Sequence, residues 1–301
     1  MIESVARWVV RGISLLLLGP LAAWIAGGVR AGDGSQAATL LTGGSMVPGL
    51  IALVGVGLCV IAGGGIAARL CDRHEAVLNA GFVIAWVAWT AGRLGDAYRL
   101  DPEAGTLIRV ALEGAGMLAV FALAMLVSDK VSRRSAQAEG LGLGGAAFVG
   151  ALRQRAALPA MGASLGISLV LAWLFARHDA PGQALGSAFL CGLGAGVFGS
   201  LVAQSVAPEE NAKSTGLPGV TATFIPIAIG VLLAGVIGPA VGLGAPGAGK
   251  LLSGVARGDL PGWILVSPSA WAAGALIGVP TGISFLQPKA AIEASGLSRS
   301  A

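Results

Sequence analysis

Apolar runs close to about 20 residues long recur along this chain with almost no charged side chain inside them. A run of that length crosses the hydrocarbon core of a bilayer as an α-helix. In lipid every backbone N–H and C=O must find its partner within the protein, which leaves helices and closed barrels as the only spanning structures. A barrel strand needs about ten residues of alternating polarity, and these runs are continuous. The expected fold is therefore all-α, a polytopic integral membrane bundle of about eight transmembrane helices in a single domain over 1–301. The spans are expected near 12–29, 47–68, 76–92, 106–127, 157–176, 184–207, 220–243 and 264–286. The seventh also reads as two half-helices, with a re-entrant segment after it.

Charge supports this class and excludes others. Charged residues are 11% of the chain and hydrophobic ones 55%, against about 25% charge in a soluble domain. The net charge of +4 does not indicate nucleic-acid binding, because the basic residues fall in loops where membrane topology explains them. No loop exceeds about 30 residues, too few for an independent core. Cys59, Cys71 and Cys191 are an odd number without a close pair, so neither a disulfide framework nor a metal site is expected. Arg7 and Arg11 ahead of an apolar run resemble a secretion signal, but Gly12 to Val29 is 18 residues, long for a signal core, and an uncleaved first span is expected.

Orientation follows from counting Lys and Arg by loop. Of the 19, Arg109 lies within a span. With a cytoplasmic N-terminus, six (Arg30, Arg93, Arg99, Arg177, Lys250 and Arg257) fall outside and the other twelve inside. Both termini are therefore expected in the cytoplasm, in a membrane of the bacterial inner type. The loop 128–156 supplies five of the twelve, and its second half, an apolar run with Arg153 and Arg155, is expected along the membrane surface. The fourth helix is expected to start at Asp101-Pro102-Glu103, with Asp as N-cap, and to run to Lys130.

Small residues recur every four positions in the last four spans: Ala160, Ser164, Ser168, Ala172 and Ala176; Ser187, Cys191, Ala195, Gly199 and Ala203; Gly230, Ala234, Gly238 and Gly242; Ala270, Gly274, Gly278 and Gly282. That period marks one helix face, and small residues on it let backbones approach closely. The C-terminal half is expected to be the tightly packed half. Comparing spans one to four with five to eight gives no internal repeat.

Arg109 and Glu113 are the ionisable residues well inside a span. Four apart, they share a face and are placed to pair. Asn79 and Gln204 lie near the expected cytoplasmic ends of spans three and six, as ligand contacts or helix-to-helix bonds. Pro226, Pro239, Pro268 and Pro280 interrupt spans seven and eight, and each is expected to free a carbonyl that must be buried in protein or line a cavity. Gly244 to Lys250 has the spacing of a phosphate-binding loop, but Leu251 replaces the required hydroxyl residue and no nucleotide is expected. Gly194 to Gly199 has the GxGxxG form inside an apolar span, where it reads as a packing face. His74 and His178 lie in separate loops, which gives no haem or metal pair.

No catalytic constellation stands out, so the chain is not expected to be an enzyme or to carry a cofactor. The expected function is a permease or channel-like protein for a small solute, its pathway lined by Arg109, Glu113, Asn79, Gln204 and the carbonyls freed by Pro226, Pro239 and Pro280. Gly199, Gly230, Gly238, Gly274, Gly278 and Gly282 are its packing positions. The alternative is a non-catalytic docking subunit of a larger membrane complex. The expected partners are the lipid bilayer and either other membrane subunits or further copies of the chain.

Overall fold

The computed structural model describes residues 2–101, 104–136, 146–178, 180–206, 218–243, 254, 257 and 260–286. Those residues are mostly helical, with no strand apart from one bridge between Arg30 and Gln36. Helix α1 runs as Ile2–Ile13, passes through a π-helical turn at Ser14–Leu18 and resumes as Gly19–Gly27. It is followed by α2 (Met46–Leu70), α3 (Arg73–Thr90), α4 (Leu94–Leu100) and α5 (Ala104–Ala136). Then come α6 (Ala146–Arg153), α7 (Ala157–Phe175), α8 (Pro181–Val206) and α9 (Pro218–Leu243). The chain closes on the short α10 (Gly262–Leu265) and on α11, built of Pro268–Ala273, a π turn at Gly274–Gly278 and Val279–Ser284.

Six helices are long and apolar enough to cross a membrane, and a seventh is added if α3 and α4, bent by 47°, count as one span. Large exposed apolar side chains cover the outer faces of these helices. Trp8 near one end of α1 and Trp24 near the other are 70% and 77% exposed. At 1.5 Å per residue they stand about 24 Å apart, the spacing of two interfacial aromatic belts.

Several boundaries differ from the sequence reading. The region 264–286 is two pieces, because Val266 and Ser267 leave the helical region and Ser267 caps α11 through the Ala270 N–H. Pro268 is therefore at the start of a helix, where it frees no carbonyl. Helix α9 is continuous through Pro226 and Pro239. Residues 128–136 of the expected cytoplasmic loop extend α5, which reaches 33 residues. The stretch from Gly244 to Lys250 lies outside the described residues, as do Pro102 and Glu103.

Both π turns end two residues before a proline, at Gly19-Pro20 and Val279-Pro280. A proline ring collides with the carbonyl four residues back in a regular α-helix. In the turn before each proline the hydrogen bonds widen to five residues, the Gly19 N–H donating to Ser14 and the Val279 N–H to Gly274. Each helix continues past its proline.

Helix α11 is the centre of the bundle, with nearly every residue from Gly262 to Ile283 buried. It runs parallel to α8 with almost no side chain between the two backbones. A methyl group added at Gly278 would lie 2.5 Å from the Phe189 carbonyl oxygen, and one at Gly192, Gly196, Gly274 or Gly282 would strike the backbone of the facing helix. Helix α9 meets α7 the same way, Gly230 lying against the Met161 carbonyl and Ser164. Gly199 of α8 faces Ser164 and Ile227, and Gly238 lies under Trp263.

Candidate functional site

The connection 28–45 folds into the bundle. It begins as a small hairpin in which the Ala37 N–H donates to Val29 and the Ala31 N–H to Ser35. Its tip needs Gly34, whose φ of 83° suits glycine, and Asp33 fixes it by accepting from the Ser35 N–H at 3.0 Å. The chain then turns inward. Ala37 to Leu41 are buried, and the Thr39 N–H donates to the Thr42 hydroxyl at 3.0 Å, which holds the turn.

Glu113 receives this segment. It is fully buried, and its Oε2 accepts from the Leu41 N–H at 2.9 Å. The Thr39 hydroxyl and Leu40 N–H also face the carboxylate, but the Leu41 N–H is the one in hydrogen-bond geometry. Glu113 is eight residues into the apolar stretch that starts at Gly105, or about 12 Å deep at 1.5 Å per residue. Irregular backbone at that depth is tolerable because it is enclosed by protein. Arg109, half-buried, donates to the Gly43 carbonyl at 3.4 Å. The expected Arg109–Glu113 pair is thus not formed. Each residue holds the inward loop instead.

The same level of the bundle holds two more groups. Pro239 has no N–H to give Gly235 four residues back, and that carbonyl oxygen lies 2.6 Å from the place a Gly114 methyl would take. Trp271 crosses Gly235, its Cδ1 3.0 Å from a methyl placed there. The indole is fully buried, and Nε1 has no hydrogen-bond partner within the protein; nor does Glu113 Oε1. Glu113, Gly235 and Trp271 come from three helices and form a polar layer towards the end of the bundle that the 28–45 connection covers, called outer for that reason.

About one helical turn further in is an apolar cavity of about 10 Å³, lined by Val60, Ile84, Met117, Val120, Phe121, Leu232, Ala272 and Leu276. Met117 is four residues from Glu113, Ala272 adjoins Trp271, and Leu232 is three from Gly235. Pro280 gives no N–H to Leu276, whose backbone faces Gly81.

An inner polar layer follows. Ser14, in the π turn of α1, and Asn79 are fully buried. A methyl at Gly63 would be 3.5 Å from both Ser14 Oγ and the Asn79 carbonyl oxygen. Asn79 Nδ2 donates to the Glu75 carbonyl at 2.7 Å, which turns Oδ1 the other way. Asn79 Oδ1, Ser14 Oγ and the neighbouring Ser128 Oγ have no hydrogen-bond partner within the protein. Beyond lie three ion pairs: Arg11 with buried Glu75, through Nε at 3.0 Å and Nη2, then Arg7 with Asp72 and Arg73 with Asp129, each at 3.2 Å. Asp72 also caps α3 by accepting from the Glu75 N–H.

Among the pathway candidates from sequence, Glu113, Asn79, Pro239 and Pro280 thus lie on or beside one axis through α2, α3, α5, α9 and α11. Gln204 does not join it: near the end of α8 it faces outward and is exposed. Pro226 is buried near the other end of α9, away from the cavity lining. Sequence reading missed the inward loop, Ser14 and Trp271. One signal for the loop was available: Ala37-Ala38-Thr39-Leu40-Leu41 is an apolar patch inside an otherwise polar connection. No family model, curated protein or solved structure matches the chain.

Proposed function

We propose that this protein is a non-enzymatic permease or channel-like protein for a small solute, held closed. The observation that supports this reading is the alignment of outer polar layer, cavity and inner polar layer along one axis. Buried side-chain polar atoms without a partner lie at two depths along that axis, at Glu113 and Trp271 and at Ser14, Asn79 and Ser128, with two more at Ser168 and Ser200 in α7 and α8. Segment 28–45 closes the outer entrance, latched by Glu113 and Arg109. The full count of eight spans adds α3 with α4 and the buried α11 to the six long helices. The excess of Lys and Arg on one side supports an orientation with both termini in the cytoplasm, in a membrane of the bacterial inner type.

The test is solute flux into proteoliposomes containing the purified protein. Wild type is expected to pass a small solute that empty liposomes do not, and the double variant Glu113→Gln with Arg109→Met to lose that selectivity. Normal selective flux in the double variant would make the pair purely structural.

The size of the cavity favours a second reading. About 10 Å³ holds no more than about one water molecule, which suits a non-catalytic subunit that docks onto other membrane proteins. Stoichiometric partners after gentle extraction from the native membrane, with no flux by the chain alone, would establish that role.

A further inference from the structure

The two ends of the bundle carry charge differently. At the outer end exposed cations and carboxylates are mixed, Arg30, Arg93 and Arg99 with Asp33 and Asp96. At the inner end the carboxylates of the described side chains are all taken, Asp72 by Arg7, Glu75 by Arg11 and Asp129 by Arg73. Arg69, Lys130, Arg153 and Arg155 remain there, exposed and without an ion pair among the described residues. The inner rim therefore shows its surroundings positive charge alone.

Arg153 and Arg155 belong to a shaped part of this rim. Helix α7 begins at the inner end: Met161, near its start, lies against Gly230, and Ala172, near its finish, meets Gly262, close to the outer pair Leu107 and Ile264. Helix α6 comes just before that start and packs on α9. Its Phe148 and Ala151 join the apolar core, which leaves Val149, Leu152 and Arg153 exposed. Arg155 is exposed in the link between α6 and α7, and Leu158 follows, 72% exposed. Apolar side chains and unpaired cations thus share one exposed corner. A soluble acidic partner would match the charges, but the three apolar side chains continue into the lipid-facing surface of α7. A bilayer interface suits both, with the apolar groups at the acyl chains and the guanidinium heads at the phosphates. Trp8, exposed on α1 with Arg11 5.7 Å from its ring centre, is the kind of residue that marks the headgroup level at this end.

We propose that the corner between α6 and α7 is a binding surface for anionic phospholipid. Arg153 and Arg155 meet the headgroup phosphate, and Val149, Leu152 and Leu158 meet the upper part of the acyl chains. A zwitterionic lipid carries the same phosphate but offsets its charge with choline, so the surface prefers a headgroup with net negative charge. This assignment goes beyond the permease reading and does not depend on it.

The experiment takes the full-length protein in mixed micelles holding equal amounts of phosphatidylglycerol and phosphatidylcholine, and counts the lipids it retains by native mass spectrometry. A basic residue near an anionic surface is worth about fivefold in binding, so the wild type is expected to retain phosphatidylglycerol over phosphatidylcholine by at least about fivefold. The preference should shrink as salt is raised, because these charges are exposed. Arg153→Gln with Arg155→Gln is expected to lose most of it while eluting as a folded species, and Arg153→Lys with Arg155→Lys to keep it. Arg93→Gln, which removes an exposed cation at the outer end, should leave it unchanged. No preference in the wild type, full preference in the glutamine variant, or an equal loss in Arg93→Gln would overturn the assignment. Displacement of the retained lipid by inorganic phosphate alone would overturn it in favour of a site for a free anion.

Discussion

Helices α8 and α11 are held together differently from the group formed by α1, α2, α3 and α5 with the inward loop. Between α8 and α11 the contact is backbone on backbone, through Gly192, Gly196, Gly274, Gly278 and Gly282, with no room for one methyl group. In the other group hydrogen bonds and ion pairs add to the apolar packing: Leu41 to Glu113, Arg109 to Gly43, Arg11 to Glu75 and Arg73 to Asp129. Close packing in lipid gains dispersion energy from many weak contacts and has no alternative arrangement of similar energy. A polar contact can be exchanged for water or a ligand. The first region is suited to be a fixed frame and the second to move.

The largest expected effect tests the frame. Gly278→Ala drives a methyl to 2.5 Å from the Phe189 carbonyl oxygen and 2.8 Å from the Leu193 N–H nitrogen. Neither backbone atom can give way alone, so a loss of about 3 kcal/mol or more is expected, read as a lower melting temperature and folded yield. Tolerance of this change would mean that α8 and α11 are able to separate, and the comparison would fail.

Next comes the inner end of the polar group. Arg11→Met leaves the Glu75 carboxylate buried without its cation. About 1–3 kcal/mol of destabilisation is expected, less than for a fully enclosed pair because Arg11 itself is partly exposed. Restoring the charge with Arg11→Lys should recover part of it in the same melting experiment.

Glu113→Leu is expected to act locally. It deprives the Leu41 N–H of its acceptor, at a cost of about 1–3 kcal/mol that falls on the loop. Trypsin should then cleave after exposed Arg30 faster than in wild type, with the melting temperature of the bundle little changed. Unchanged cleavage would show that Glu113 is not the latch.

The smallest effect is a control. Nothing lies within 4 Å of a methyl placed at Gly166, so Gly166→Ala should be neutral or stabilise by up to about 1 kcal/mol through helix propensity. A clear loss would mean that α7 has a partner on that face.

The sequence made the helical class legible because in lipid the period of the pattern is less informative than the length of the apolar runs, and those are plain. The ladders were legible for a related reason: a small residue every fourth position serves little purpose except close approach, and Gly274, Gly278 and Gly282 do sit on the backbone of α8. The pairing of Arg109 with Glu113 was a misreading, since spacing along one helix cannot reveal a loop from elsewhere that offers each residue a better partner. The place of Trp271 was hidden because an indole in an apolar run has the same signature whether it faces lipid, as Trp24 does, or the core. Gln204 near the end of α8 shows the same ambiguity for an amide.

The position of α11 has a consequence for how the molecule is made. The helix at the centre of the bundle is the last of those described here to leave the ribosome. Helices α8 and α9 must wait for it on the order of ten seconds at ordinary rates of synthesis, with their glycine faces turned to lipid. Assembly is therefore completed late, by insertion of a keystone rather than by stepwise addition at an edge. A nascent chain stalled before Pro268 would present an open groove along α8, a surface on which membrane quality control could distinguish unfinished molecules from finished ones.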